Sequence, residues 1–324
     1  MSGRLVAGID LGATNVRVAI GDLASGIIRK IRRKTIQDEV GDALIEQLVD
    51  LLREVAGEEL RKVRAVGIGS IGPIDIRRGL ILNPPNATFR NVPVVEALSD
   101  RLDLPVYLLN DCSTAVLGEA FFGSGRGLKN IFYVTMSSGI GGGAIVDGNL
   151  LLGKDGNAVE IGHISVSHEL ELPCPCGSKN HWEAYCSGRG IPRFVKKLIE
   201  RWPKRFKGSS LEKLASEDRL TPEILFDMAR RGDKHALMVI EEIGKINAIG
   251  FANINNLYDP ELITIGGAIA LNNSELILEP ILKHIGEYTV NRIPDIRITS
   301  LGEDIVLYGA IVLAAKFEEG LFPG

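Results

Sequence analysis

No stretch of this sequence is both long and apolar enough to span a bilayer. The longest segment poor in charge, Ile131 to Val146, is broken by six glycines and serines in the seven positions from Ser137 to Gly143, whereas a transmembrane helix needs ~20 continuous apolar residues. The opening residues, Met1 to Val6, lack the charged-then-apolar run of a secretory signal and lead straight into a strand pattern, so a cytoplasmic protein with no membrane partner is expected. Charge of one sign is also missing: 37 basic residues stand against 41 acidic ones, a net of -4. The main basic cluster, Arg29 to Lys34, lies among Ile27, Ile28 and Ile31 like an exposed strand, which offers nucleic acid no binding face. Cysteine is scarce at four residues, and three of these (Cys174, Cys176, Cys186) fall within thirteen positions. That clustering excludes a secreted disulfide framework and asks for a metal reading. Only two glutamines occur, Gln37 and Gln47, a bias in keeping with a source that selects against heat-labile amides.

What is present is an ordinary globular composition, 45% apolar and 24% charged over 324 residues, enough for roughly two domains of ~150 residues. Leu5 to Asp10, Val16 to Gly21 and Ile27 to Lys34 are short β-branched or apolar runs between glycine turns, which predicts a three-stranded meander. A helix follows over Asp42 to Arg61, where apolar residues recur with helical period, then a buried strand at Val63 to Ser70, a short helix from Val94 and a strand at Val106 to Leu109. The second half repeats the plan, with strands at Ile131 to Thr135, Gly143 to Val146 and near Ile164. Helices are predicted from about Gly190 to Leu257, a strand at Glu261 to Ile265, then a helix over 275–290 and a strand over 296–299. An apolar helix over Asp304 to Glu319 returns to the first lobe. The expected division is a smaller α/β lobe of 1–112 with 304–324 and a larger α/β lobe of 113–303.

Two segments superpose as sequence. VAGIDLGATNVRVAIGD (6–22) and YVTMSSGIGGGAIVDG (133–148) share a strand, a glycine-bearing turn, and a strand ending in Ala-Ile and then Asp. They read either as an ancient duplication with one phosphate-gripping hairpin per lobe or as two unrelated tight hairpins. In the first, Asp10-Leu-Gly12-Ala13-Thr14-Asn15, glycine lets the backbone approach a phosphate while loop amides and the Thr14 hydroxyl donate to its oxygens, and Asp10 is suited to hold magnesium. The second, Ser137-Ser138-Gly139-Ile-Gly141-Gly-Gly143, supplies the partner loop, so that the pair clamps one triphosphate. A third glycine turn, Ile265-Gly266-Gly267-Ala268, ends a strand and meets the adenosine side.

Gly67-Ile-Gly-Ser-Ile-Gly72 matches G-x-G-x-x-G, but the dinucleotide fingerprint requires a helix to open directly after it, and here Pro73, Asp75 and Gly79 follow. Nicotinamide binding is set aside on that ground. Asn83-Pro-Pro-Asn86 reads as a rigid polar surface for sugar hydroxyls or as a plain connector. Asn110-Asp111 directly follows an apolar strand, where ligands of open α/β sheets bind; a carboxylate there takes a proton from a substrate hydroxyl, or else caps the next helix. His163, Cys174, Cys176 and His181 fall within nineteen positions. Two thiolates and two imidazoles complete a tetrahedral zinc site, the alternatives being solvent-facing histidines or a redox-active cysteine pair. Cys112 and Cys186 read as packing residues.

Taken together these residues resemble the ROK family of sugar kinases and regulators. The likeness runs from Asp10 to about Gly309 and is carried in order by DLGATN at 10, GIGSIGPID at 67, PN at 85, ND at 110, SSGIGGG at 137, EIGH at 160, CPCG at 174, WE at 182 and IGGA at 265. The branch it is most similar to is the archaeal ATP-dependent glucokinase or hexokinase group. The resemblance implies a duplicated actin-like, ribonuclease H-like ATPase fold, α/β in class, with two lobes around a central cleft. It implies ATP with Mg2+ as cofactors, a structural Zn2+, and phosphorylation of the primary C6 hydroxyl of glucose and other hexoses. Asp111 would be the general base; Gly72, Asn86, Asn110, Asp111, Glu160, His163 and Glu183 would meet the sugar. Asp10, Gly12, Ala13, Thr14, Asn15, Ser137, Ser138, Gly139, Gly141, Gly266, Gly267 and Ala268 would meet the nucleotide. The sequence departs from the usual family pattern at Ala13, where a second glycine is common, at Asn15, where lysine is common, and at His181, where a third cysteine is usual.

Other readings stay open. A kinase for fructose or N-acetylmannosamine has the same motif set. A sugar-responsive repressor of the same family would carry an added N-terminal DNA-binding segment, for which a first strand at about Leu5 leaves no room. An actin- or chaperone-like ATPase would need the phosphate loops but not the ND, EIGH and WE polar set. A homo-oligomer is compatible with the sequence.

Overall fold

The computed structural model describes residues 4–167 and 169–318; the opening Met1 to Gly3, His168 and the stretch 319–324, including the expected helix end at Glu319, lie outside them. The meander forms as strands β1 (Val6–Leu11), β2 (Asn15–Asp22) and β3 (Gly26–Lys34). β1 is buried apart from a partly exposed Asp10, whereas most of β3 is exposed. That contrast places β3 at a sheet edge, where charged side chains discourage further pairing. Helix α1 (Asp42–Ala56) starts after Gly41, whose φ of 91° suits a residue without Cβ, and buries Leu44, Ile45, Leu48, Val49, Leu51, Leu52 and Val55. Strand β4 (Val66–Ser70), the short hairpin β5 (Ile74–Asp75) and β6 (Leu80–Ile81), helix α2 (Val94–Leu102), strand β7 (Val106–Asn110) and helix α3 (Asp111–Phe121) follow. The expected lobe boundary at 112/113 falls inside α3.

The second series runs β8 (Ile131–Met136), β9 (Ile140–Val146) and β10 (Asn149–Leu150). Helices α4 (Trp182–Cys186), α5 (Gly190–Arg201), α6 (Pro203–Phe206), α7 (Ser210–Ser216), α8 (Pro222–Arg230) and α9 (Lys234–Tyr258) come next, then β11 (Leu262–Gly266), α10 (Ala268–Asn272), α11 (Ser274–His284), β12 (Asp295–Ile298) and α12 (Ile305–Glu318). The strand expected near Ile164 is instead a single 3-10 turn, Ile161–His163, followed by one isolated bridge from Ser165 to His181. A strand needs a neighbour along its length, and this segment meets one only at that point.

One five-stranded sheet has the order β3-β2-β1-β4-β7 and the other β10-β9-β8-β11-β12. Numbered within each series, both read 3-2-1-4-5. In each, the second and third strands are antiparallel and the fourth and fifth parallel. The chain clusters into two units, Met1–Ile131 with Gly143–Val159 and Thr299–Gly324, and Phe132–Gly142 with Glu160–Ile298.

In the first unit, α12 is buried at Leu307 and from Ala310 to Ala314, and packs against β1, β4 and α3. This explains the G-x-G-x-x-G of β4. A Cβ on Gly67 would run into the Ala310 carbonyl, and one on Gly69 into Val306 and Thr114. Those glycines let two helices lie directly on the sheet; they serve packing, and no helix opens after them.

Candidate active site

The first unit's candidate residues gather at the carboxyl ends of β1, β4 and β7, where the side chains of parallel strands give way to loops. Asp10, near the end of β1, is ion-paired to Arg17 of β2, Oδ2 to Nη1 at 2.9 Å. Arg17 is itself held by the Glu303 carbonyl and carboxylate, both at 2.7 Å. Burial pushes the Asp10 carboxyl up to about 7; Arg17 pulls it back and the neighbouring Asp111 adds repulsion. Asp111 is the first residue of α3, and Asn110 is the N-cap: Asn110 Oδ1 accepts from Cys112 N at 2.9 Å and Asp111 Oδ1 from the same amide at 2.8 Å. The capping role thus falls chiefly to Asn110. Burial raises the Asp111 carboxyl above the usual range, against the hydrogen bonds from Cys112.

Behind the first glycine loop, every carbonyl from Gly12 to Thr14 is occupied. Thr35 Oγ1 donates to Gly12 O at 2.8 Å, Gln37 Nε2 to Ala13 O at 2.7 Å, and Thr35 N to Thr14 O at 3.0 Å. Carbonyls turned to donors on one side hold the loop by its back. Gly72 adjoins the Asn110 amide, and Asn157 brackets Ile74, accepting from its amide at 3.1 Å and donating to its carbonyl at 2.8 Å. Asn86 is exposed on a loop whose carbonyls at Ala87 and Phe89 accept from Arg90 Nη1 at 2.6 and 2.8 Å. Arg17, Gln37, Arg90 and Asn157 are residues that motif reading did not single out. Arg17, Gln37 and Asn157 show themselves only through partners distant in sequence, and Arg90 through the carbonyls of its own loop.

In the second unit the loop between β8 and β9 closes on itself through Ser137 N to Gly139 O at 2.9 Å and is tied to Gly188 N at 2.7 Å. Glu183, in the first turn of α4, accepts from Ile140 N at 2.9 Å. One oxygen of the WE carboxylate therefore sits on the glycine loop. Ser138 lies in that loop and Gly141 in the opening of β9, while Gly266 ends β11 and Gly267 precedes α10, which Ala268 begins. Glu160 is exposed just ahead of the Ile161–His163 turn, with Oε2 4.0 Å from His163 Nε2.

His163, Cys174, Cys176 and His181 each present one ligand atom, all within 4.8 Å of one another. His163 Nδ1 and His181 Nδ1 are 3.3 Å apart, Cys176 Sγ and His181 Nδ1 3.3 Å, and Cys174 Sγ and His163 Nδ1 3.8 Å. Zinc bonds of ~2.0–2.3 Å make the edges of a tetrahedron roughly 3.3–3.8 Å long. The four donors fit such a group in chemistry, and the three separations of 3.3, 3.3 and 3.8 Å match its edges. All four cysteines are free thiols. Burial raises the Cys174 thiol to about 11 and, with His163 nearby, lowers His181.

The duplicated 3-2-1-4-5 sheets and the glycine hairpins between their first and second strands define a duplicated actin-like ATPase fold. The chain belongs to the ROK family, whose model matches residues 6–317. It is 36% identical over 314 residues to a glucokinase of Pyrobaculum calidifontis, covering 97% of this chain and 96% of that one. A glucokinase of Aeropyrum pernix is 36% identical over 321 residues, covering 98% of each. A ROK glucokinase of Streptomyces griseus, solved in complex with glucose and AMPPNP, superposes with a TM-score of 0.78 at 30% identity, covering 96% of this chain and 99% of that one. Among the described residues no helix is long and apolar enough to cross a membrane.

Proposed function

We infer that the protein is an ATP-dependent hexokinase that phosphorylates the primary C6 hydroxyl of glucose and other hexoses, giving hexose 6-phosphate and ADP. The observation that carries this reading is the neighbouring, partly buried pair Asp10, near the end of β1, and Asp111, just after β7, in a ROK-family chain. A base at a primary hydroxyl works best when its pKa approaches the working pH, and burial moves Asp111 in that direction.

In the reaction Asp111 accepts the hydroxyl proton as the sugar oxygen bonds to the γ-phosphorus, and the bond to the β–γ bridging oxygen breaks with release of ADP. Asn110, Asn86, Gly72, Glu160, His163 and Glu183 bind and orient the sugar, which supplies the alignment that makes the attack effectively intramolecular. Backbone amides and hydroxyls of Gly12, Ala13, Thr14, Asn15, Ser137, Ser138, Gly139 and Gly141 hold the phosphates, and Gly266, Gly267 and Ala268 meet the adenosine. Asp10 is the residue that would hold magnesium, since a cation relieves its repulsion with Asp111; when bound, the ion neutralises charge on the phosphate oxygens. Zinc on His163, Cys174, Cys176 and His181 would fix the loop that carries Glu160 and leads into Glu183. A cytoplasmic setting is supported by the free thiols, which an oxidising compartment disfavours.

A coupled ATP-consumption assay across a panel of hexoses tests the reading. Glucose is expected to be a substrate; strong preference for an N-acetylated sugar overturns the hexose assignment, and no sugar-dependent consumption overturns the kinase.

A further inference from the structure

His181, the N-cap of α4, and Trp182 and Glu183 in its first turn meet three different parts of the second unit. His181 belongs to the His-Cys-Cys-His cluster, Glu183 accepts from Ile140 N in the glycine loop at 2.9 Å, and Trp182 between them is fully buried. The Trp182 amide donates to Ile164 O at 2.9 Å, but its indole is set by α9. Trp182 Nε1 donates to Asn247 Oδ1 at 2.8 Å. Phe251 meets the ring at an interplanar angle of 77°, with centroids 5.4 Å apart, and a Cβ on Gly250 would stand 2.5 Å from Trp182 Cδ2 and Cε2. The backbone of α9 therefore lies directly against the indole.

Asn247 is itself fully buried, and chemistry fixes the orientation of its amide. An indole N–H can only donate, so the amide turns its oxygen to the ring. Asn247 Nδ2 is left buried with no hydrogen-bond partner among the described residues. An orphaned donor in the interior is destabilising and uncommon. What asparagine supplies against that cost is one definite setting of the Trp182 indole.

We propose that Asn247 is a positioning residue of the sugar site: by holding the Trp182 indole on α9 it sets the first turn of α4, and with it the direction of the Glu183 carboxylate. The proposal rests on the kinase reading, in which Glu183 meets the sugar, and adds to it a residue that acts only through its neighbour. An α4 released from Asn247 would carry Glu183 away from the sugar and from the Ile140 amide together.

Asn247→Leu in the full-length protein keeps the bulk of the side chain and removes the acceptor. Glucose KM and calorimetric glucose Kd are expected to rise about tenfold, the scale of one hydrogen bond to a charged group. Turnover should stay within about twofold of wild type, because a contact that holds ground state and transition state alike shows in KM and not in kcat. Asn247→Asp, whose carboxyl burial keeps protonated, retains the acceptor and should bring KM back to within about twofold of wild type. Trp182→Phe breaks the same bond from the other side and should reproduce the rise if Asn247→Leu does not fold. A residue that served folding alone would lower Tm and the active fraction at unchanged KM. Unchanged KM and Kd in Asn247→Leu or in Trp182→Phe, or an equal rise in Asn247→Asp, overturns the proposal. Wild-type ATP consumption with glucose keeps the two readings apart. Consumption with a KM that ignores the variants sinks the positioning role alone, and a wild type that neither binds nor phosphorylates glucose sinks the kinase reading and this role with it.

Discussion

Gly139 lies against Glu183: a Cβ at position 139 would stand 2.5 Å from Glu183 Oε2, the oxygen that accepts from Ile140 N at 2.9 Å. The glycine loop and the WE motif, 43 residues apart, are thus one device. The space a methyl group would need is taken by the carboxylate that steadies the loop.

Gly139→Ala is expected to displace Glu183 and lower kcat/KM at least about tenfold, with a stability loss of ~1–3 kcal/mol typical of overpacking. Steady-state kinetics beside thermal unfolding check both. Wild-type kcat/KM in the variant would show that Glu183 has no part in substrate binding.

Asp111→Asn keeps the shape of the side chain and its contact with the Cys112 amide but cannot take a proton. Turnover should fall by ~10²–10⁴, the usual worth of a positioned general base, while calorimetric glucose affinity stays within a few-fold. Turnover close to wild type removes Asp111 from the base role.

About one zinc per chain is expected on elemental analysis of protein prepared without chelator. The paired change Cys174→Ser and Cys176→Ser should abolish it and lower Tm, because a structural zinc contributes folding free energy directly. A zinc-free wild type whose double variant is equally stable and active disproves the metal site.

A pH-sensitive cluster joins α9 to the end of α11. Buried His284 carries Glu287 Oε1 at 2.7 Å on Nδ1 and Glu241 Oε1 at 2.7 Å on Nε2, while Lys283 also donates to Glu241. Hydrogen bonds to Glu287 and then Glu241 raise the imidazole above 6.5; Lys283 first and His284 second hold Glu241 below 4.5. A raised histidine contributes stability that is full below 6.5 and lost as pH climbs through its folded value. The lowered Glu241 contributes above 4.5 and is lost as pH falls. The cluster is therefore most stabilising between those limits. His284→Gln should lower Tm by a few degrees near pH 6 and flatten its decline at higher pH; an unchanged Tm profile excludes the linkage.

Much of this was legible as sequence because it is local. Strand and helix periodicity, the glycine turns, the asparagine and aspartate at the end of β7 and the His-Cys-Cys-His spacing are fixed by a few neighbouring residues, and the order of the motifs carries the family. What only the tertiary structure decided is which distant side chains meet. The sequence could set aside a nucleotide fingerprint at Gly67 and Gly69, but what those glycines do appears only when α12, more than 200 positions away, is laid on them; Arg17 becomes the keeper of Asp10 only once β2 is paired with β1. Glu241 and His284 meet only where α11 packs on the 25-residue α9. Periodicity fixes which face of an element is buried, but not which partner that face will find, and that choice is made by packing of the whole unit.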